Sequence, residues 1–431
     1  MNITVAGMGH VGLITAIAFS AIGHNVIGID VDTNRISMLH DGEAPYFEPG
    51  LQEELDRQIR SGRIRFTTDS QTAYMSADVV FICVGTPPGE NGEANLEAVW
   101  DAARNIGIWV PDGCVIVEKS TVPCGTHKRL IAVLGRSSTL DVASNPEFLR
   151  EGTALRDTLE PSRIVVGAAT EAVHRVLRDV YEVLTDSGTP YIATDIATAE
   201  LAKHASNSML ATKISFMNAI ARICDMTGAD VTKIAEIMGA DPRIGPAFLH
   251  AGLGFGGFCF PKDVAALSHT AKTLGTHSRL FDEVLLINQR ALESVYAKIE
   301  DAFWNIAGKH IAVLGLAFKP DTDDIRYSPA MSLCFLLLQA GAEVVGWDPQ
   351  AAAAARDELP ALITADSPYT AAQGADLLVI ATEWQETYTI DFERLADVMI
   401  GRFVMDARNV LDDWQRSYAA KLGFTVIGVG R

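Results

Sequence analysis

The chain has 431 residues, 48% of them hydrophobic, which exceeds what one core normally serves and predicts two or three domains. A formal net charge of -19 opposes nonspecific attraction to nucleic acid or to anionic membrane surfaces, so any anionic ligand must be held by local cations. No segment reaches membrane-spanning length without charges, and the opening M-N-I-T-V-A-G reads as a strand rather than a secretory leader. The expected address is therefore cytoplasmic, with neither membrane nor nucleic acid as partner.

The chain opens with Ile3 to Ala6, a glycine turn, an apolar helix pattern from Leu13 to Ala21, and Asn25 to Asp30, read as strand, helix, strand. Gly7, Gly9 and Gly12 spell G-M-G-H-V-G between the first strand and the helix. Glycines there permit a tight turn and close backbone approach, so that the helix N-terminus can hold a pyrophosphate. Such a run alone could be mere turn chemistry. Here Asp30 ends the second strand about twenty residues on, where an acid is needed for the ribose hydroxyls. Asp30 would also repel a 2′-phosphate, which favours NAD over NADP, although the nearby Arg35 complicates that choice.

Ala77 to Val84, Cys114 to Lys119, Leu140 to Ser144 and Arg163 to Gly167 are further short strand-like runs, several separated by helical stretches, and predict a doubly wound, mostly parallel sheet. Ligands of such sheets lie beyond the carboxyl ends of the strands. Thr86, Thr121 and the trio Asn145, Pro146 and Glu147 follow three of these strands and are expected to face one crevice. Each could equally be a helix cap or a turn residue.

From Asp195 to about Gly228 runs a long helical pattern without proline, and helical segments continue towards Lys298. A helix of this kind is more often a domain spine or subunit interface than a site. Lys203 and Asn207 lie four apart on it and share a face, either turned to a cleft or part of a solvated stripe. The segment G-L-G-F-G-G-F-C-F-P-K-D, Gly252 to Asp263, then brings glycines, a cysteine, a lysine and an aspartate together. It fits equally a reactive thiol beside a cation and an acid, or a glycine-rich turn around a buried cysteine. All six cysteines, Cys83, Cys114, Cys124, Cys224, Cys259 and Cys334, stand singly, without C-x-x-C pairs or neighbouring histidines, so no metal is expected.

From Lys309 the first pattern recurs: I-A-V-L-G, a loop, a helix from Pro329 to Gln339, then A-E-V-V-G-W-D beside the earlier H-N-V-I-G-I-D, and A-D-L-L-V-I-A-T beside A-D-V-V-F-I-C-V-G-T. The expected fold is α/β, with two Rossmann-like doubly wound domains joined by a central helical region. The expected divisions are 1–195 for the dinucleotide-binding domain, 196–304 for the central helical region and 305–431 for the second Rossmann-like domain.

Taken in order, G-M-G-H-V-G, V-G-T-P-P, K-S-T-V-P, N-P-E-F-L-R-E-G, Lys203 with Asn207, G-F-G-G-F-C-F-P-K-D and G-L-A-F-K-P-D-T-D-D-I-R resemble the UDP-glucose/GDP-mannose dehydrogenase family over nearly the whole chain. The resemblance implies NAD-dependent four-electron oxidation of a sugar C6 alcohol to a carboxylate, through a thiohemiacetal and a thioester on Cys259. It makes Glu147, Thr121 and Asp263 the bases or water-positioning groups, and Lys203 and Asn207 the groups that stabilise oxyanions. Glu147, Phe148, Leu149, Arg150, Glu151, Phe248, Leu249, His250, Ala251, Gly252, Gly256 and Lys319 then match contacts to the nucleotide sugar. Val11, Asp30, Arg35, Thr86, Thr121, Glu151, Lys262 and Arg326 match contacts to NAD. Arg243 matches an arginine that reaches the neighbouring subunit's substrate, which implies a homodimer or higher homo-oligomer.

Two positions depart from the family pattern: Phe258 stands where a small residue, often serine, is usual, and His10 replaces the usual tyrosine in the glycine turn. F-C-F-P-K-D and D-A-R-N-V favour the UDP-glucose branch over GDP-mannose or N-acetylhexosamine nucleotides. A two-electron hydroxyacid dehydrogenase of the 6-phosphogluconate type would need neither Cys259 nor a second Rossmann-like domain. A nonenzymatic NAD sensor would show broken catalytic positions, and here all are intact.

Overall fold

Short β-branched runs bounded by turn residues become fourteen strands in the computed structural model, which describes residues 1–136 and 139–431. The chain divides into two units, Met1–Ser206 and Asn207–Arg431. The first holds β1 (Asn2–Ala6), β2 (Asn25–Ile29), β3 (Ile64–Thr67), β4 (Val79–Ile82), β5 (Val115–Glu118), β6 (Asp141–Ser144), β7 (Ile164–Ala168) and β8 (Tyr191–Thr194). They form one sheet in the order β3-β2-β1-β4-β5-β6-β7-β8. Neighbours run parallel except β6 and β7. Every residue of β4 and β5 is buried, as expected for central strands covered on both faces. The strand order reverses between β1 and β4, and a crevice for a ligand opens at such a switch point, outside the carboxyl ends.

The long helical pattern is a single helix, Ile196–Thr227, which crosses the boundary between the units. The second unit continues with helices Val231–Gly239, Cys259–Thr273 and Arg279–Phe303. Its sheet comprises β9 (His310–Leu314), β10 (Glu343–Trp347), β11 (Ile363–Thr364), β12 (Leu377–Ile380), β13 (Phe403–Asp406) and β14 (Thr425–Gly428). The order β11-β10-β9-β12-β13-β14, all parallel, repeats that of the first six strands. The architecture is thus two parallel-sheet α/β domains with a central helical region.

The repeat extends to single atoms. Gly7 N donates to Ile29 O at 2.7 Å, and Gly315 N to Trp347 O at 2.7 Å. A Cβ on Gly28 would lie 2.5 Å from Met8 Sδ, and one on Gly346 3.0 Å from Leu316. The shared glycine in H-N-V-I-G-I-D and A-E-V-V-G-W-D therefore makes room for the first side chain after each turn. No helix among the described residues is long and apolar enough to cross a membrane.

Candidate active site

The glycine turn of the first unit separates packing needs from ligand needs. Gly7 has φ +94°, and a Cβ there would strike Cys83 O at 2.7 Å; one on Gly12 would meet Gly7 O at 1.7 Å. A Cβ on Gly9 would meet nothing within 4 Å, so protein packing does not require glycine there. The space beside Gly9, at the start of helix His10–Ala21, suits a pyrophosphate approached by backbone. Asp30, at the end of β2, accepts hydrogen bonds from Met8 N at 2.6 Å and Asp32 N at 2.9 Å, and pairs with Arg35 at 3.0 Å. This arrangement places Gly7, Gly9, Gly12, Asp30 and Arg35 around one turn, with Val11 half-buried on the helix. His10 stacks on Tyr46 with ring centroids 4.0 Å apart and lies 3.4 Å from the buried Glu48, which also accepts from Gly152 N and Ala154 N.

The loops after β4, β5 and β6 meet in the same unit. Thr86 Oγ1 donates to Thr121 O at 2.9 Å. Glu147 and Lys203 form a buried ion pair at 2.7 Å, and Glu147 also accepts from Leu149 N at 2.7 Å. Phe148 lies under both Lys203 Nζ, 5.5 Å from its centroid, and the Arg163 guanidinium, at 3.7 Å. Such placement suits a platform for a sugar or nucleotide. Arg150 is exposed and held by Asp157 at 2.8 Å; Glu151 follows, half-buried.

In the second unit Cys259 begins the helix Cys259–Thr273, with Phe258 as its N-cap residue. A helix N-terminus favours negative charge on a group placed there. Asp263 lies one turn further on and Lys262 next to it, so cysteine, cation and acid share one end of one helix. Asp263 is 1% exposed and joins Lys262 Nζ at 2.5 Å and Asn207 Nδ2 at 2.6 Å. The Phe258 ring lies under Lys262 Nζ, at 5.4 Å, and under the Arg326 guanidinium, at 4.5 Å. Arg326 also pairs with Asp324 at 2.6 Å.

The glycines before Cys259 serve the protein as well as any ligand. Cβ atoms on Gly256 and Gly257 would meet Tyr327 O at 2.3 Å and the Phe318 ring at 2.6 Å, and one on Gly252 would meet Ala407 O at 2.7 Å. The loop is pressed on the segment that carries Lys319, itself half-buried with Nζ 5.3 Å from the Phe318 ring centroid. Phe248 has φ 65°, a strained conformation for an aromatic residue, while Leu249 and Ala251 are buried and His250 is exposed. Arg243 is not gathered with these groups; its side chain is 87% exposed and pairs with Asp241.

Sequence reasoning missed the braces. Arg408 donates to Gly254 O at 2.9 Å, Ala381 O at 2.8 Å and Phe318 O at 3.3 Å, tying the glycine loop to the Lys319 segment. The motif D-A-R-N-V was its signal. Asn218 and Asn288, which accept from Gly252 N and Phe255 N, left no signal beyond single amides in helical patterns.

Profiles of the UDP-glucose/GDP-mannose dehydrogenase family match along the chain: its NAD binding domain at residues 1–185, its central domain at 197–290 and its UDP binding domain at 312–413. The chain is 43% identical to the UDP-glucose 6-dehydrogenase of Rhizobium meliloti (strain 1021), over 100% of both chains. Among solved structures it is similar to a UDP-glucose dehydrogenase from Pyrobaculum islandicum, with 37% identity, TM-score 0.89, and 96% of this chain and 95% of that one covered. It also resembles the UDP-D-ManNAc dehydrogenase from Pyrococcus horikoshii, with 26% identity, TM-score 0.88, and 100% and 99% covered. The open turn at Gly9 and the acid at Asp30 agree with an NAD-dependent oxidoreductase, and the chain belongs to the UDP-glucose/GDP-mannose dehydrogenase family.

Proposed function

We propose that this chain oxidises the C6 alcohol of UDP-glucose to the carboxylate of UDP-glucuronate. One observation carries the reading: a cysteine at a helix N-terminus, with Asp263 one turn on bound to Lys262 and Asn207, in a chain 43% identical over its full length to a UDP-glucose 6-dehydrogenase. When bound, NAD accepts the hydride removed from C6, twice per sugar.

The chain's residues do the rest. Lys203 and Asn207 steady the oxygen of the alcohol as it becomes an aldehyde. The Cys259 thiolate adds to that carbonyl carbon, forming a C–S bond, and the oxygen takes a proton to give a thiohemiacetal. Loss of the second hydride and of the hydroxyl proton leaves a thioester. Water, positioned by Glu147, Thr121 or Asp263, then attacks; the C–S bond breaks and the thiolate returns. The balance is alcohol, water and two NAD⁺ giving carboxylate, two NADH and three protons.

Phe148 and Glu147, Leu149, Arg150 and Glu151 bind the nucleotide sugar, together with Phe248 to Gly252, Gly256 and Lys319; Thr86, Glu151, Lys262 and Arg326 contact NAD. The proposed domains are 1–195, 196–304 and 305–431, a division supported by the three separate profile matches. A homodimer is proposed as well. Met209, Phe216 and Ile223 are 60%, 49% and 58% exposed at seven-residue spacing, one apolar stripe along the central helix, and the Arg243 side chain, paired with Asp241, is exposed at the surface where a second copy could meet it. The cytoplasm, where thiols stay reduced, suits turnover through a free thiolate.

With limiting UDP-glucose and excess NAD, two NADH should form per sugar and UDP-glucuronate should be released. One NADH per sugar with an aldehyde as end product would defeat the mechanism. Two NADH from an N-acetylhexosamine nucleotide or GDP-mannose, and none from UDP-glucose, would keep the chemistry and change the sugar.

A further inference from the structure

Lys119, just beyond the carboxyl end of β5, is 6% exposed and has no part in the chemistry above. Its Nζ donates to Asn145 Oδ1 at 3.0 Å and lies 3.5 Å from Asn145 O. The Tyr181 hydroxyl donates to the same Oδ1. Asn145 Nδ2 donates to Val165 O at 2.8 Å, and its backbone N to Glu118 O at 2.9 Å. Asn145 is therefore clamped on every polar atom. Pro146 follows with its fixed φ, and Glu147 comes next, 2.7 Å from Lys203. Rotation about few bonds separates the clamp from the carboxylate.

The charges around Glu147 come from several elements. Lys203 faces it from the central helix, and Lys119 acts on it from β5. Cys83, beyond β4, stays neutral because burial pushes its thiol up to about 12. Tyr181 stays neutral because burial raises its hydroxyl further still. Glu118, which ends β5, is a second buried acid, pushed up to about 8 by burial. Arg150 and Arg163 line the cavity of about 510 Å³ that Lys119 and Glu147 also line. Burial pushes the Lys119 ammonium below the usual lysine range, Glu147 opposes that shift and Lys203 adds to it.

We infer that Lys119 is a positioning residue: by clamping Asn145 it aims the Glu147 carboxylate, two residues on, at its place beside Lys203. The inference rests on the proposed role of Glu147 as a base or water-positioning group.

The test uses the full chain and whichever nucleotide sugar the wild type oxidises, so that a wrong sugar fails the earlier reading alone. Lys119→Met keeps the length of the side chain but cannot donate to Asn145. Its kcat at pH 7 should fall roughly tenfold, with KM for NAD unchanged. Lys119→Arg, which keeps a donor at that position, should recover most of the wild-type kcat. Tyr181→Phe removes the other donor to the same Oδ1 and should slow turnover in the same way. An unchanged kcat in Lys119→Met overturns the inference, as does a wild-type rate in Tyr181→Phe. Failure of Lys119→Met to fold while Lys119→Arg folds would assign the lysine to stability alone and overturn it too.

Discussion

At the end of β1 the chain turns through Gly7 and enters a helix at His10; at the end of β9 it turns through Gly315 and enters a helix only at Pro329. The acids that close the two second strands differ just as much. Asp30 accepts two backbone N–H groups and pairs with the half-exposed Arg35. Asp348 accepts four, from Leu316, Ala317, Gln350 and Ala351, and the Trp384 indole at 3.0 Å. Ala317 stands where the first turn has the open Gly9. One strand order thus carries two kinds of turn: the first keeps an edge for a dinucleotide, and the second is satisfied from within. Shared topology does not imply shared binding.

The largest expected effect separates the unit that carries the proposed nucleophile, Cys259, from the unit that matches the family's NAD binding domain. Cys259→Ala should lower sustained turnover by roughly a thousandfold or more while NAD binding, followed by fluorescence titration, stays at the wild-type level. Cys259→Ser should also be severely slowed, because an alcohol is a weaker nucleophile and an ester a poorer acyl donor. Full activity in Cys259→Ala would break the division of labour.

Next in size is the contrast between the two acids. Asp348→Ala strands four buried donors, the amides of Leu316, Ala317 and Ala351 and the Trp384 indole, and should reduce stability by about 3 kcal/mol in urea unfolding. Asp30→Ala should change stability less but narrow the preference for NAD over NADP. If both substitutions act alike, the two turns are not different in kind. A smaller effect is expected from Gly9→Ala, which meets no protein atom: NAD affinity should fall roughly tenfold with the melting temperature unchanged. Lost stability there would show that packing, not ligand space, requires the glycine.

The smallest effect concerns the acids that end the fifth strand of each sheet, Glu118 and Asp406, whose partners across the ladder are Ile82 and Ile380. Burial raises both. Asp406 accepts from the backbone of Arg408, Val410 and Leu411, whereas Glu118 Oε2 has no hydrogen-bond partner among the described residues. Glu118 is protonated in the folded chain up to about 8 and ionised in the unfolded chain above its ordinary value, so its contribution to stability falls as pH rises between those limits. Glu118→Gln should flatten that part of a thermal-melt series against pH. An unchanged slope would place the pH dependence elsewhere.

Much of this was legible in the residues because close approach leaves a mark on composition. G-M-G-H-V-G and the paired H-N-V-I-G-I-D and A-E-V-V-G-W-D show glycines where backbone or a neighbouring side chain crowds in, and the helix from Pro329 starts where proline and a Ser328 cap allow it. The edge strands β3 and β8 were less legible, since I-R-F-T and Y-I-A-T are short and partly exposed. The antiparallel step between β6 and β7 has no compositional signature either. In the glycine loop before Cys259 the residue type was plain but its neighbour was not, because Phe318 and Tyr327 lie some sixty residues away and occupy space a ligand might have claimed. The clamp on Asn145 was hidden for the same reason: Lys119 and Tyr181 come from opposite directions along the chain.

The knot around Asp348 also bears on how such a chain can change over generations. Turning that acid towards a ribose would leave three buried amides and an indole unsatisfied at once, at a cost in folding stability of about 3 kcal/mol, before any affinity for a new ligand appeared. The second turn is therefore fixed by the fold itself, and any ligand the second unit holds must be met by other residues than this acid.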